Sequence, residues 1–269
     1  MVFLKAIKEV LRLYLYAPQF HFKFLKRIMN GEALSLKTYQ RYSDAYKRVK
    51  KARHIFPTKT ELEDNFLIIK QILEKAEIRN ADYPLLYTFI EIIKKDKIVD
   101  IMDLGGAYGL LYFQLLKSVH PGRIQRYVVC ELNHIAEFCQ SRITKLDQNN
   151  KLSFIGNIKE LVDYDILVCN GSFQFVGNSV LDIIIKNDSN KPKYLILNSA
   201  DITYDNTFFK YSSKLNTVWS FYNRESLIDS FKRSNYVLLD EWVSKKGREK
   251  KAISHFPFSR CGFFFERKE

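Results

Sequence analysis

The chain has 269 residues, 46% of them hydrophobic and 14% aromatic. That is enough apolar material for one large domain or a domain with an appended piece, and it excludes a disordered tail or a minimal scaffold. The formal charge of +13 is unevenly placed: residues 1–56 carry a net +10, residues 243–269 a net +5, and residues 57–242 a net −2. The four cysteines, Cys130, Cys139, Cys169 and Cys261, form no CxxC pair, and the five histidines show no metal-ligand spacing, so a reduced chain without a metal site is expected.

The opening segment to Tyr16 places Leu4, Ile7, Leu11 and Leu15 at helical spacing against Lys5, Lys8, Glu9 and Arg12, and Pro18 stops it. No uninterrupted apolar run is long enough to span a bilayer, and the charges inside this segment do not suit a secretory signal. A basic, aromatic stretch follows, then a helix through TYQRYSDAYKRVKKA. After Pro57, Thr60 and Glu63 predict a capping box for a helix with Phe66, Ile69, Ile72 and Leu73 on one face. Another helix is expected from Tyr83 to Lys94.

From Ile98 the pattern changes to short apolar strands alternating with helices, the signature of βαβ units and a parallel sheet. IVDIMDLGG, RYVVCE, LSFIG, YDILVCNG and KYLILNS read as five strands, and runs such as ILVC and YLIL suit strands covered on both faces. A helix is expected at VLDIIIK and another at RESLIDSFKRS. YVLLDEWV and RCGFFFERK then follow with no helical crossover between them, so they should pair antiparallel or lie apart. The expected domains are a basic helical extension over residues 1–80 and an α/β domain over residues 81–269.

DLGGAYG, Asp103 to Gly109, falls at a strand-to-helix turn, where an open parallel sheet binds nucleotides. Gly105 allows a tight turn, Gly106 a close approach to a ligand, and Gly109 close helix packing. Glu131 ends the next strand, 22 residues beyond Gly109, where a carboxylate can accept hydrogen bonds from a ribose diol. Together these point to an adenosine-containing cofactor. A dinucleotide site prefers G-x-G-x-x-G and a pyrophosphate over the helix terminus. Here the order is D-x-G-G-x-x-G, and Asp103 would repel a pyrophosphate while suiting the cationic amino-acid end of S-adenosylmethionine.

These segments resemble a family of class I S-adenosylmethionine-dependent methyltransferases found among bacterial surface-polysaccharide biosynthesis genes. The likeness rests on KTYQRYSDAYKRV, IMDLGGAYGLLYFQL, VVCEL, LSFIGNIKELVDYDILVCNGSFQFV, KYLILNSADI, FYNRESLIDSFKRSNYVLLDEW and CGFFFERK. It implies a Rossmann-like fold with a seven-stranded, mostly parallel sheet whose last strand is antiparallel. S-adenosyl-L-methionine would be the donor, held at Asp103, Gly105, Gly106, Gly109 and Glu131, and the acceptor a sugar or glycan hydroxyl. The chain departs from the family after strand five, where Asn198, Ser199 and Ala200 replace an Arg-x-Pro segment.

Asn157 is placed to meet an adenine edge or to serve as a polar turn residue. Asn170, Gly171 and Ser172 end the fourth strand, facing cofactor and acceptor, with Gln174 just beyond. His255, Asp201, Asp205 and Tyr46 are candidate bases, each equally readable as a surface or structural residue. The aromatic, amide-rich stretch 199–222 is read as an acceptor-binding lid or as a loop packed onto the core.

The basic segment of residues 1–29 suits an anionic membrane surface or docking on the body better than nucleic acid. A cytoplasmic protein is expected, peripheral at the inner face of the membrane where the membrane reading of this segment holds. Two other readings stay open: a basic RNA-associated protein of methyltransferase fold, and a catalytically silent Rossmann-like nucleotide-binding protein.

Overall fold

The computed structural model describes residues 38–49, 57–80, 82–96, 98–157, 164–176, 180, 191–212, 217–243 and 258–268. The expectations for residues 1–29, for the helix at VLDIIIK and for His255 lie outside them. The chain divides into two compact units, residues 1–55 with Phe209–Trp219, and Phe56–Phe208 with Ser220–Glu269.

In the smaller unit, β1 (Thr38–Tyr39) pairs antiparallel with β7 (Phe208–Ser212), Thr38 opposite Lys210. Helix α1 (Tyr42–Tyr46) sets Tyr42 edge-on to Phe209, with ring centroids 5.8 Å apart, and Ala45, Phe209 and Val218 form a small core.

The larger unit opens with α2 (Lys59–Asp64) and α3 (Phe66–Lys75). The capping box of α2 is Thr58 with Glu61, two residues before the expected pair: Thr58 N donates to Glu61 Oε2 at 2.7 Å, and Glu61 N donates to Thr58 Oγ1 at 3.3 Å. Thr60 is already inside the first turn. On α3, Ile69 and Leu73, one turn apart, are buried and Phe66 packs against the core, whereas Ile72 lies on the flank and is 49% exposed. Helix α4 (Tyr83–Lys95) agrees with its expectation to within one residue.

Among the described residues, seven strands of the sheet carry the fold's central order: β2 (Val99–Leu104), β3 (Ile124–Cys130), β4 (Leu152–Ile155), β5 (Ile166–Asn170), β6 (Tyr194–Thr203), β9 (Tyr236–Val243) and β10 (Ser259–Arg267). Their order across the sheet is β4-β3-β2-β5-β6-β10-β9. Strands β2 to β6 pair in parallel, and β10 runs antiparallel between β6 and β9. This is the Rossmann-like class I methyltransferase arrangement, with YVLLDEWV and RCGFFFERK paired antiparallel, one of the two outcomes expected for them.

Both faces of the sheet are covered, which explains the continuous apolar runs. Along β5, Ile166 and Val168 enter one buried cluster with residues of α3, α4, α5 (Leu110–Leu115) and α6 (Asn133–Arg142). Leu167 and Cys169 enter the other, with Leu227, Ile228 and Phe231 of α7 (Arg224–Lys232).

The stretch 199–222 is mostly strand. β6 continues to Thr203, and β8 (Thr217–Asn223) pairs with its end through Ile202–Tyr222 and Thr203–Asn223. Phe208 stacks on Phe221 at 4.7 Å and both are buried, whereas Tyr204 is 68% exposed.

Candidate functional site

The carboxyl ends of β2, β3 and β5 converge on the glycine loop. Gly105, Ala107 and Gly109 have positive φ values of 72°, 51° and 75°, so the turn reverses direction within five residues. Ala107 is the costly member, because a left-handed Ala is disfavoured where Gly is not. Glu131, just beyond β3, accepts the Ala107 N–H on Oε2 at 3.2 Å and the Leu132 N–H on Oε1 at 2.9 Å. Two backbone donors thus fix the carboxylate at the loop.

Asp103 is 1% exposed at the end of β2. Tyr127, on β3, donates its hydroxyl proton to Oδ2 at 2.8 Å, and Oδ1 is buried without a partner. Burial pushes the Asp103 carboxyl up to about 7; the Tyr127 hydrogen bond opposes this and the Glu131 charge adds to it. A Cβ on Gly106 would lie 2.3 Å from Asp103 Oδ2, so only glycine leaves that carboxylate in place. The unpaired buried oxygen fits a cationic group, since a buried polar atom without a partner is costly.

Gly105 and Ser172 interlock: a Cβ on Gly105 would lie 2.5 Å from Ser172 Cβ, and the Ser172 hydroxyl donates to the Leu104 carbonyl. Gly171 has φ +76° and open space where a Cβ would stand. Gln174 is buried, donates to the Gly171 carbonyl at 2.7 Å, and keeps Oε1 unpartnered. Asn170 Oδ1 accepts a hydrogen bond from Asn198 Nδ2 at 2.9 Å. Gly109 caps the amino terminus of α5, and Asn157 is exposed beyond β4.

Of the candidate bases, Asp201 and Asp205 belong to the larger unit. Asp201 is fully buried and ion-paired to Arg260 at 2.9 Å across β6 and β10. Tyr46 is 57% exposed in the smaller unit, and Asp205 is exposed just beyond β6. Residues missed in the sequence are Tyr127 and Ala107. The alternation of β3 could have placed Tyr127 on the Asp103 face, but nothing local marks Ala107.

The cysteines are free and buried, and burial, with the Glu131 charge, pushes the Cys139 thiol up to about 12, so it is inert as a nucleophile at neutral pH. Among the described residues no group of three or more His, Cys, Asp or Glu could hold a metal ion. No helix among them is long and apolar enough to cross a membrane.

No protein-family model matches the chain, and no curated protein matches it. Solved structures do. The mitomycin 7-O-methyltransferase aligns over 84% of this chain and 66% of its own at 11% identity, with a TM-score of 0.50. An S-adenosylmethionine-dependent methyltransferase from Clostridium acetobutylicum aligns over 77% and 99% at 13% identity and a TM-score of 0.48. The magnesium protoporphyrin IX methyltransferase from Synechocystis, solved with S-adenosylmethionine bound, aligns over 81% and 100% at 12% identity and a TM-score of 0.46. The likeness to the mitomycin enzyme is one of fold, in agreement with the strand order.

Proposed function

We propose that the chain is an S-adenosylmethionine-dependent methyltransferase acting on a hydroxyl of a sugar or glycan intermediate. The observation that carries the reading is the buried, half-satisfied Asp103 carboxylate packed against Gly106, one loop away from the Glu131 carboxylate. The acceptor class rests on the resemblance to polysaccharide-associated methyltransferases.

When bound, S-adenosylmethionine supplies a methyl group already activated on a sulfonium. The protein's part is to bind, orient and exclude water. Asp103 Oδ1 is the acceptor for the donor's ammonium, and Glu131 has lone pairs left for a ribose diol once Ala107 and Leu132 have fixed it. Gly171 leaves open space at the β5 end, while Gly105, Gly106 and Gly109 shape the proposed cofactor loop by letting Ser172, Asp103 and Phe154 pack close to it, with Ser172 holding the β5 end against the loop. Asn157 and Asn170 are proposed as further contacts. Alignment of donor and acceptor can supply much of the acceleration, on the order of 7 to 11 kcal/mol. The proton of a hydroxyl acceptor must also leave; the Asp201 carboxylate is engaged by Arg260, which weakens its case as a base.

Calorimetry of the full chain with S-adenosylhomocysteine and with NAD tests the reading. Binding of the former alone is expected; no binding of it would favour the silent nucleotide-binding protein. The RNA reading predicts affinity that falls steeply with salt. We further propose that residues 1–29 contact anionic membrane, and unchanged vesicle binding after deletion of residues 1–18 would refute this.

A further inference from the structure

Across four adjacent strands, three side chains form one hydrogen-bonded line that ends at the carboxyl end of β5. Trp242 on β9 stands opposite Gly262 on β10, and Asn198 on β6 stands opposite Asn170 on β5. The register between β10 and β6 shifts here: Cys261 faces Ala200 and Phe263 faces Leu197, so Asn198 and Ser199 together oppose Gly262. Ser199 takes φ +58°, as the extra residue of such a bulge can. A Cβ on Gly262 would lie 1.9 Å from Trp242 Cε2, so the indole lies over the glycine and reaches across β10. Its Nε1–H donates to Asn198 Oδ1 at 3.0 Å, and Asn198 Nδ2 donates to Asn170 Oδ1 at 2.9 Å.

The direction of this chain is not free. An indole N–H can only donate. Asn198 must therefore offer it the carbonyl oxygen, which leaves its NH₂ for Asn170. Asn170 in turn must offer its oxygen to Asn198. Its own NH₂, without a partner among the described residues, is the group left to face a ligand at the end of β5.

We propose that Trp242 is a positioning residue that acts through Asn198 to fix the amide polarity of Asn170. The end of β5 then takes an oxygen that accepts a hydrogen bond, such as a carboxylate, carbonyl or hydroxyl oxygen. It does not take an amine that must donate one. The assignment of a ligand there rests on the methyltransferase reading; the polarity of the relay does not. The oxygen belongs either to the amino-acid carboxylate of the methyl donor or to the methyl acceptor.

Side-chain amide resonances of the full-length protein test the relay. Asn198→Asp keeps an acceptor for Trp242 but removes the donor, so Asn170 must turn its NH₂ toward the new carboxylate. Hydrogen exchange of the Asn170 NH₂ should slow about tenfold or more in Asn198→Asp, and that of the Asn198 NH₂ should speed up in Trp242→Phe. An Asn170 NH₂ equally protected in the wild type, or an Asn198 NH₂ indifferent to Trp242→Phe, overturns the proposal.

Calorimetry with S-adenosylhomocysteine and with 5′-methylthioadenosine, which lacks the amino-acid end, then locates the oxygen. A tenfold loss in Asn198→Asp for the first ligand alone assigns it to the donor's carboxylate. Unchanged affinity for both, with the amide turned, assigns it to the methyl acceptor. Equal losses for both would show a disturbed adenosine site and sink the ligand assignment. A wild-type protein that binds neither would sink the methyltransferase reading while the amide measurements still judged the relay.

Discussion

Tyr127 donates its hydroxyl proton to one oxygen of Asp103 at 2.8 Å, while the other oxygen of that carboxylate is buried and has no partner. The pair holds an acid near neutrality in the floor of the proposed site, and its energetics set the first two expectations.

Burial raises the Asp103 carboxyl from 3.8 to about 7. Between those values the folded state binds more protons than the unfolded state, so stability falls as pH rises from about 4 to about 7 and levels off above. The full effect is on the order of 4 kcal/mol, at about 1.4 kcal/mol per tenfold change in proton affinity. Asp103→Asn keeps an acceptor for Tyr127 and carries no charge, so it should remove this decline and be the more stable protein at pH 8. Urea denaturation from pH 5 to pH 8 reads it; parallel pH profiles in the two proteins would refute the cause.

The same substitution should weaken binding. A ligand ammonium prefers the ionised carboxylate, so affinity for S-adenosylhomocysteine should fall as pH drops from 8 to 6 in the wild type, and stay flat and lower in Asp103→Asn. Calorimetry in buffers of different ionisation enthalpy should also detect proton release on binding near pH 7.

Glu131→Ala removes the acceptor for Ala107 N–H and the proposed ribose contact together. Hydrogen bonds to charged groups are worth about 1.5 to 3 kcal/mol, so affinity for S-adenosylhomocysteine should drop by more than 1 kcal/mol. An unchanged affinity would remove Glu131 from the site.

Gly106→Ala and Gly171→Ala should differ in kind. The first drives a methyl into the Asp103 carboxylate, an overpacking of about 1 to 3 kcal/mol that also displaces the ligand acceptor. The second meets no atom but forces a left-handed Ala, costing about 1 to 2 kcal/mol. Equal effects of the two on the pH profile would contradict the contact at Gly106.

Arg260→Ala removes one charged hydrogen-bond partner from the buried Asp201 carboxylate and should destabilise by about 1.5 to 3 kcal/mol. Exchanging both residues for apolar ones of similar volume, Asp201→Leu with Arg260→Met, should recover most of that loss in thermal melts.

Much of this was legible because it is local. The loop Asp103–Gly109, the strand ending in Glu131 and the apolar runs of β5 and β6 announce themselves within a few residues. What escaped depends on register. Thr58 and Thr60 both precede an acidic residue by three, and only the helix start decides between them. Ile72 fits the apolar spacing of α3, but the buried face centres on Ile69 and Leu73. Asn198 stood out only as a departure from a pattern; its role needs Trp242, 44 residues away, and a bulge opposite Gly262 that no local spacing reveals. The aromatic stretch 199–222 reads as a loop because its Asn, Asp, Ser and Thr residues interrupt the apolar alternation that marks a strand, although β7 and β8 are sheet neighbours.

Strand β10 joins β9 to β6 and touches both along its length. Until Ser259–Arg267 has been made, a growing chain can assemble the five parallel strands, but the open edge of β6 is left unpaired. That edge is a template for another molecule's strand. Completion of the sheet from its last-formed segment therefore makes slow synthesis past Val243 a window for aggregation, which closes only when β10 docks.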